Sequence, residues 1–299
     1  MNRFIIDMDP GTDDALALII ALNSINLDLI GVTTVGGNAR LLHTTRNAVS
    51  LLTFLGAQDV PVAMGASSPI YGSFTYAYHF HGTNGLGLQL PNPSTKTVQT
   101  KAVDFMVEAA KGVASPIKIV ALGPLTNIAM AIEADPYLID SIEEIIVMGG
   151  AVECQGNITE YAEFNIYNDP WAANIVFNSG VPVTLVGLDV TMKVALSEWD
   201  LLFTGDGKGQ RLARQVLGNW STMHPGSVYH MHDPLAVLAA IDHSPFSYHA
   251  GKVSVVTTGE ERGRTIFLQE TGPVRVAVDV DVQLALNTIS SLLNSDPGS

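Results

Sequence analysis

The stretch IIDMDPGTDDALALIIAL, residues 5–22, decides how this chain is read. Phe4, Ile5 and Ile6 make a short apolar run with the character of a buried strand, and Asp7 and Asp9, two apart, project to one side of its end. Pro10-Gly11 turns the chain. Asp13 and Asp14 then stand at the start of an apolar helical run, Ala15 to Leu22, where the helix dipole favours negative charge. Strand, turn and helix together bring four acids to the carboxyl edge of one strand, where ligands bind in open α/β sheets. Like charges this close repel, so keeping them ionised in a folded protein calls for a cation or a cationic substrate. Asp before Pro is also a common helix start, with Asp as the cap. The chain uses that device at Asp135-Pro136, Asp169-Pro170 and Asp233-Pro234. Capping explains one or two of the acids better than it explains all four in one short stretch.

Working outward, strand-like and helix-like segments alternate. LDLIGVTTV (27–35), IKIVAL (117–122), EIIVMGG (144–150) and VPVTLVGLDV (181–190) read as strands. Helical stretches are expected from Leu41 to Leu55, near Leu125 to Ala134, and from Trp171 to Phe177. This alternation predicts an α/β fold: a mostly parallel central sheet with helices on both faces. VSVVTTG, RTIFLQE and VRVAVDVD, between Val253 and Asp281, predict an antiparallel β segment near the C-terminus, followed by a last helix to about Leu293. No repeat or low-complexity linker interrupts the chain, so residues 1–294 are expected to form a single domain and 295–299 a disordered tail. Gly65 to Ser94 and Thr204 to Gln210 are rich in turn formers and read as flaps over a site at the strand ends.

Composition narrows the function classes. With 299 residues, 47% hydrophobic and 15% charged, the chain has material for a large core and is too apolar for disorder. A net charge of -14 and the lack of a Lys/Arg cluster argue against nucleic acid as a partner. The single cysteine, Cys154, excludes an internal disulfide framework and suits a reducing compartment. No signal peptide and no run long enough to span a bilayer is visible, which predicts a cytoplasmic protein with no membrane partner.

DMDPGTDDA (7–15) resembles the N-terminal signature of the inosine–uridine-preferring nucleoside hydrolase family. TTVGGN (33–38), HFHGTNG (79–85), LGPLTNIAMA (122–131), MGGAVECQGN (148–157), AEFNIYNDP (162–170) and HDP (232–234) are similar to further family motifs in kind and in order. The resemblance runs to about residue 290 and implies the Rossmann-like nucleoside hydrolase fold. It also implies hydrolysis of the N-glycosidic bond of ribonucleosides in a salvage role, with Ca²⁺ as cofactor, in a homodimer or homotetramer.

Carried over by position, the resemblance implies that Asp9, Asp14, Asp233 and the main-chain carbonyl of Thr126 hold the Ca²⁺. That is the hard-oxygen set this ion takes. Asp9 would also be the general base toward water, and Asp7 would support its neighbours from behind. Asp13, Asn157, Glu163 and Asn165 would grip the ribose hydroxyls, with Glu163 and Asn165 pointing the same way from an extended segment. Asn38 would orient the ribose and Asp9. His232 would help protonate the leaving base near neutral pH. His81 would lie near the base or the 5′ end, and Phe164 would line the sugar pocket. Tyr76, Tyr78, Trp220 and Tyr229 are candidates to stack on the base. The presence of both His81 and His232 resembles the non-specific and pyrimidine-preferring branches.

Rival readings keep their own features. Asp7-Met8-Asp9 followed by Gly11-Thr12 resembles the first motif of a haloacid-dehalogenase-like Mg²⁺ phosphatase, but Pro10 breaks its spacing. His79-Phe80-His81 and His230-Met231-His232 are His-x-His pairs of a kind that binds Zn²⁺. A phosphorylase would need phosphate, which an acidic site repels. A Ca²⁺- and ribose-binding protein without catalysis would need the same residues in place.

Overall fold

A computed structural model describes residues 2–90, 98, 100–111, 116–196 and 203–295. Its strands are β1 (Asn2–Met8), β2 (Leu27–Thr34), β3 (Val62–Met64), β4 (Ile117–Ala121), β5 (Ile142–Met148), β6 (Val183–Val186), β7 (Ala195–Leu196), β8 (Tyr229–His230), β9 (Phe246–Val255), β10 (Thr265–Leu268) and β11 (Val274–Val280). Its helices are α1 (Thr12–Asn23), α2 (Leu41–Leu55), α3 (Tyr78–His81), α4 (Ala102–Lys111), α5 (Thr126–Ala134), α6 (Phe164–Asn168), α7 (Pro170–Phe177), α8 (Leu188–Thr191), α9 (Lys208–Met223), α10 (His232–Ile241) and α11 (Val282–Asn294).

Among the described residues nine strands form one sheet in the order β10-β9-β11-β6-β5-β4-β1-β2-β3. Pairings from β3 through β11 are parallel, and β9 runs antiparallel to both β11 and β10. Both faces are covered, as a parallel sheet requires. Alternation along β1 shows the division: Phe4, Ile6 and Met8 join the core beneath α1, α2, α9, α10 and α11, while Ile5 joins the core beneath α4, α5 and α7. Strand order reverses direction at the β1–β4 boundary, so the chain leaves β1 toward β2 and β3 on one side and toward β5 and β6 on the other. That reversal opens a crevice at the carboxyl ends of β1 and β4.

Three expectations change. The run 181–190 is strand only over Val183–Val186; Gly187 then caps α8 at Leu188. A continuous apolar stretch cannot by itself separate buried strand from buried helix. Strand β9 begins at Phe246, seven residues before Val253, because its first half exposes Ser247, His249 and Ala250 and lacks an apolar run. Thr204 to Gln210 is no open break: α9 starts at Lys208, and Gln210 closes its first turn by accepting the Gly207 N–H at 2.6 Å. Residues 91–94 of the expected first flap and 296–299 of the expected tail lie outside the described residues. Among the described residues no helix is long and apolar enough to cross a membrane.

Toward the amino end of the sheet, one buried acid is fully answered. Glu144 of β5 accepts from Lys118 Nζ of β4 at 3.3 Å, from Arg275 Nη2 of β11 at 2.5 Å, and from the Thr184 hydroxyl of β6. Burial pushes the Glu144 carboxyl up, but Thr184, Arg275 and Lys118 together bring it below its ordinary 4.5. A depressed carboxylate stabilises the fold above its unfolded-state value, and the contribution is lost as pH falls through the folded one. Glu144→Gln is therefore expected to lower the urea midpoint at pH 7. The loss is on the order of 1 kcal/mol, kept modest because Arg275 is part-exposed. The gap should narrow as pH falls below the ordinary 4.5. A gap that stays the same as pH falls would contradict this assignment.

Candidate active site

The first turn after β1 is built from close contacts that leave no room for side chains. Gly11 donates its N–H to Asp14 Oδ2 at 2.7 Å, closing the first turn of α1. A Cβ at Gly11 would lie 2.7 Å from His81 Nδ1, and one at Gly37 would lie 2.0 Å from Asp9 Oδ2. The absent side chain lets Asn38 donate its N–H to Asp9 Oδ2 at 2.6 Å and its Nδ2 to Asp14 Oδ2 at 3.3 Å. Asn38 thus ties β2 to two of the acids on the β1 turn. Asp7 lies deeper: its Oδ1 accepts from Thr33 Oγ1 at 2.6 Å and from Asn127 Nδ2 at 2.7 Å, and burial pushes its carboxyl up to about 7.

Asp13, Asp14 and Asp233 converge, each with a carboxylate oxygen within 4.8 Å of the others. Asp233 arrives from the first turn of α10. Asp9 sits beside this group, its Oδ1 facing the Gly123 turn after β4. Burial raises Asp9 well above the usual carboxylate range, and the charges of Asp14 and Asp13 add to it. Burial and the charges of Asp13, Asp14 and Asp9 do the same to Asp233. Asp14 is pushed up to about 7 and Asp13 to about 6, burial being the main cause for both. One oxygen on each of Asp9, Asp13 and Asp14 is buried without a hydrogen-bond partner. Buried carboxylate oxygens left unpaired and mutually repelling fit a hard cation, which takes oxygen ligands.

The other expected ligand, Thr126, is the buried first residue of α5, and its hydroxyl donates to Asp169 Oδ2 at 2.7 Å. The convergent carboxylate group therefore includes Asp13, which the sequence reading gave to the sugar. Neither His-x-His pair joins a ligand cluster among the described residues.

A cleft of about 290 Å³ opens over the acids, with Asp13, Asn38, Asn157, Glu163, Phe164, Asn165, His81, His232 and Asp233 on its walls. Asp9, Asp14 and Thr126 lie behind this wall rather than on it. Glu163 caps α6: Oε1 accepts from Asn165 N at 2.8 Å, and Oε2 from Ile166 N and Gly150 N, each at 3.0 Å. Burial nevertheless keeps its carboxyl above its usual range. Glu163 and Asn165 are thus set by a helix start, not by the extended segment the spacing predicts. The cap needs Glu163 extended and Asn165 helical, and Asn165 Nδ2 then reaches the Leu122 carbonyl at 2.9 Å. Asn157 Oδ1 accepts from Phe164 N at 2.9 Å, closing the loop that precedes the cap.

Both histidines enter the cleft neutral. Burial takes His81 down to about 3 and His232 down to about 4. The Thr12 N–H donates to His81 Nδ1 at 3.2 Å, so the ring proton of His81 resides on Nε2. His232 Nδ1 meets the Thr191 hydroxyl at 2.8 Å. Neutral His232 can offer a hydrogen bond to a leaving group, and full proton donation requires the bound state to raise it.

The ring cluster beside them departs from expectation. Trp220 stacks on His224 at 4.8 Å, Phe80 meets His224 at 4.9 Å, and Tyr229 meets Trp220 edge-on at 5.0 Å. Trp220 Nε1 and Tyr229 Oη are buried without partners and border the cleft. Tyr76 and Tyr78 do not line it. The Tyr78 hydroxyl accepts from Arg40 N at 3.0 Å and its ring packs on His43, so it serves the loop rather than a ligand. His224, Thr191 and Asn127 were not anticipated. The four-residue spacing of Trp220 and His224 on an amphipathic helix was a usable signal; for Thr191, 41 residues from His232, the sequence offered none.

A family model described as inosine-uridine preferring nucleoside hydrolase matches residues 4–287. Uridine nucleosidase 1 of Arabidopsis thaliana is 38% identical, over 98% of this chain and 93% of that protein. The pyrimidine-specific ribonucleoside hydrolase RihA of Salmonella typhimurium is 38% identical, over 93% of this chain and 94% of its own. Among solved structures, the plant nucleoside hydrolase PpNRh1 superposes with a TM-score of 0.93 at 36% identity, covering 98% of this chain and 99% of that one. A purine-preferring ribonucleoside hydrolase from Gardnerella vaginalis gives a TM-score of 0.88 at 34% identity over 98% and 99%.

Raised carboxyls cost stability above their folded-state values, and the cost fades as pH falls toward the ordinary 3.8. In chelator, Asp233→Asn is expected to stabilise the protein at pH 8 by about 1 kcal/mol, as removal of a strained functional group commonly does. The gain should shrink between pH 8 and pH 6, as Asp14 and then Asp13 take up protons. Calorimetry that finds the variant less stable than the parent at pH 8 would contradict the repulsion argument.

Proposed function

Because the chain belongs to the inosine–uridine-preferring nucleoside hydrolase family, and so is a hydrolase acting on ribonucleosides, we propose the following division of labour. Asp9 is the base, Ca²⁺ is the cofactor, and the substrates are pyrimidine ribonucleosides with uridine foremost. The observation that carries this reading is the set of unpaired buried oxygens on Asp9, Asp13 and Asp14, beside a cleft that also holds Glu163 and Asn165. Asp9, Asp14, Asp233 and the Thr126 carbonyl hold the ion. When bound, Ca²⁺ supplies positive charge that offsets the carboxylates and makes a neighbouring water more acidic.

The chain's own groups do the rest. Asp9 Oδ2 is fixed by the Asn38 N–H, which leaves Oδ1 to take a proton from the attacking water. Asp13, Asn157, Glu163 and Asn165 hold the ribose hydroxyls, and Phe164 packs on the sugar. As the glycosidic bond breaks, positive charge grows on the sugar, and the surrounding carboxylates favour it. His232 hydrogen-bonds the leaving base and aids its protonation. His81, with its proton on Nε2, is a second donor toward the base or the 5′ end. Trp220 and Tyr229 form the base platform. The names of the Arabidopsis and Salmonella relatives support uridine and other pyrimidines, while the Gardnerella structure marks a purine preference on the same fold. The role is nucleoside salvage in the cytoplasm, by a homodimer or homotetramer formed from one domain.

Assays of free sugar over a panel of nucleosides test this. Uridine should release ribose, and 2′-deoxyuridine should react roughly 10⁴-fold more slowly, because the groups built for the missing hydroxyl go unpaired. Asp9→Ala should lower kcat by about 10²- to 10⁴-fold. Equal turnover of the deoxynucleoside would remove the ribose grip, and full activity in Asp9→Ala would remove the base.

A further inference from the structure

Helix α6 carries Glu163 at its cap and Asn165 in its first turn, yet it has only five residues. A helix that short does not hold its own geometry in water. Something outside it must set the direction of those two side chains. On its inner side the Glu163 carboxylate accepts from two N–H groups of α6 itself, those of Asn165 and Ile166, and from one outside it, that of Gly150. On its outer side stands the tip of the β9–β10 hairpin, residues 256–264, some ninety residues further along the chain.

The contact there is made by backbone. Gly263 has φ +84, and a Cβ on it would lie 2.8 Å from Tyr167 Cα and 2.9 Å from Ala162 Cβ. Only glycine meets both demands at this point. Next to it, Arg264 forms an isolated antiparallel bridge with Ala162, the residue before Glu163. The Arg262 guanidinium lies 5.2 Å over the Tyr167 ring, and its Nη2 points to the Asn168 carbonyl at 3.5 Å. The tip is itself braced: Gly263 N donates to Val256 O at 2.7 Å and Val256 N to Arg264 O at 3.0 Å. Asn174 of α7 pairs with both backbone groups of Val255, at 3.1 and 3.2 Å. The hairpin therefore touches the segment immediately before the cap and the last two residues of α6, bracketing Glu163 and Asn165.

We propose that this hairpin tip is a splint for the sugar end of the site, with Gly263 and Arg262 as positioning residues that fix α6 so that Glu163 and Asn165 face the cleft. The inference rests on the ribose-holding role given above to those two side chains. Neither positioning residue touches substrate. Their effect is on selectivity for sugar hydroxyls, which overall stability does not move.

The test compares kcat/KM for uridine with that for its 3′-deoxy and 5′-deoxy analogues, in the full chain loaded with Ca²⁺. Arg262→Met and Gly263→Ala are expected to lower the ribose-over-deoxy ratio by about 10- to 100-fold, mainly through KM for uridine, as small misplacements of positioning groups do. Arg262→Lys, which restores a cation over Tyr167, should recover most of the ratio. If Gly263→Ala does not fold, the Arg262 pair carries the comparison alone. Folded Arg262→Met with the wild-type ratio overturns the proposal when Glu163→Gln lowers that ratio. If Glu163→Gln also keeps the wild-type ratio, the sugar role of Glu163 itself is what fails.

Discussion

Mutual repulsion among Asp9, Asp13, Asp14 and Asp233 is the constraint on which the rest of this molecule turns. Two unit charges 4 Å apart cost about 4 kcal/mol at the effective dielectric of a protein surface. Here burial compounds that cost, and the carboxyls rise out of their normal range. The same sheet shows the alternative at its other end, where Glu144 receives Lys118, Arg275 and Thr184 and its carboxyl falls. One chain thus pairs a buried acid fully at the amino edge and leaves a group of acids unanswered at the carboxyl edge. The difference marks the second group as built for a charge that is not part of the chain, and marginal stability is conceded there for function.

The sheet explains why the acids meet. Strand order reverses at the β1–β4 boundary, so the β1 turn, the Asn38 turn after β2 and the Gly123 turn after β4 face one another with little between them. Gly37 admits the Asp9 carboxylate within a distance no Cβ would allow. Helix α10 then enters with Asp233 at its first turn, and α6 with Glu163 as its cap, so helix starts present carboxylates and amides to one cleft. Capping leaves oxygens to spare at these positions: Asp14 closes the first turn of α1 with one oxygen and leaves the other free.

Much of this was legible in the chain. The acid cluster, the parallel sheet and the bounds of α2 and α5 follow from local pattern. Asp9, Asp13 and Asp14 announce themselves by density. Asp233, Asn157 and Glu163, which all border the cleft, were reachable only through the ordered family motifs, because alone each reads as a cap or a turn residue. Local pattern failed where tertiary contact decides. The apolar run 181–190 hides a strand-to-helix change at Gly187, and the polar face of β9 hides its first half. Tyr76 and Tyr78 read as base-stacking candidates, yet Tyr78 is bound to Arg40 and packs on His43, and neither lines the cleft. The Thr191–His232 and Asp7–Asn127 pairs span 41 and 120 residues, distances at which pattern carries no information.

The central claim is that the buried acids work only with a hard cation among them. Its most direct test is ribose release from uridine by protein stripped of metal with chelator, its metal content checked by elemental analysis, before and after Ca²⁺ is returned. The expected result is negligible turnover in the stripped protein, restored by about one Ca²⁺ per chain. Undiminished turnover with no metal present would contradict the account.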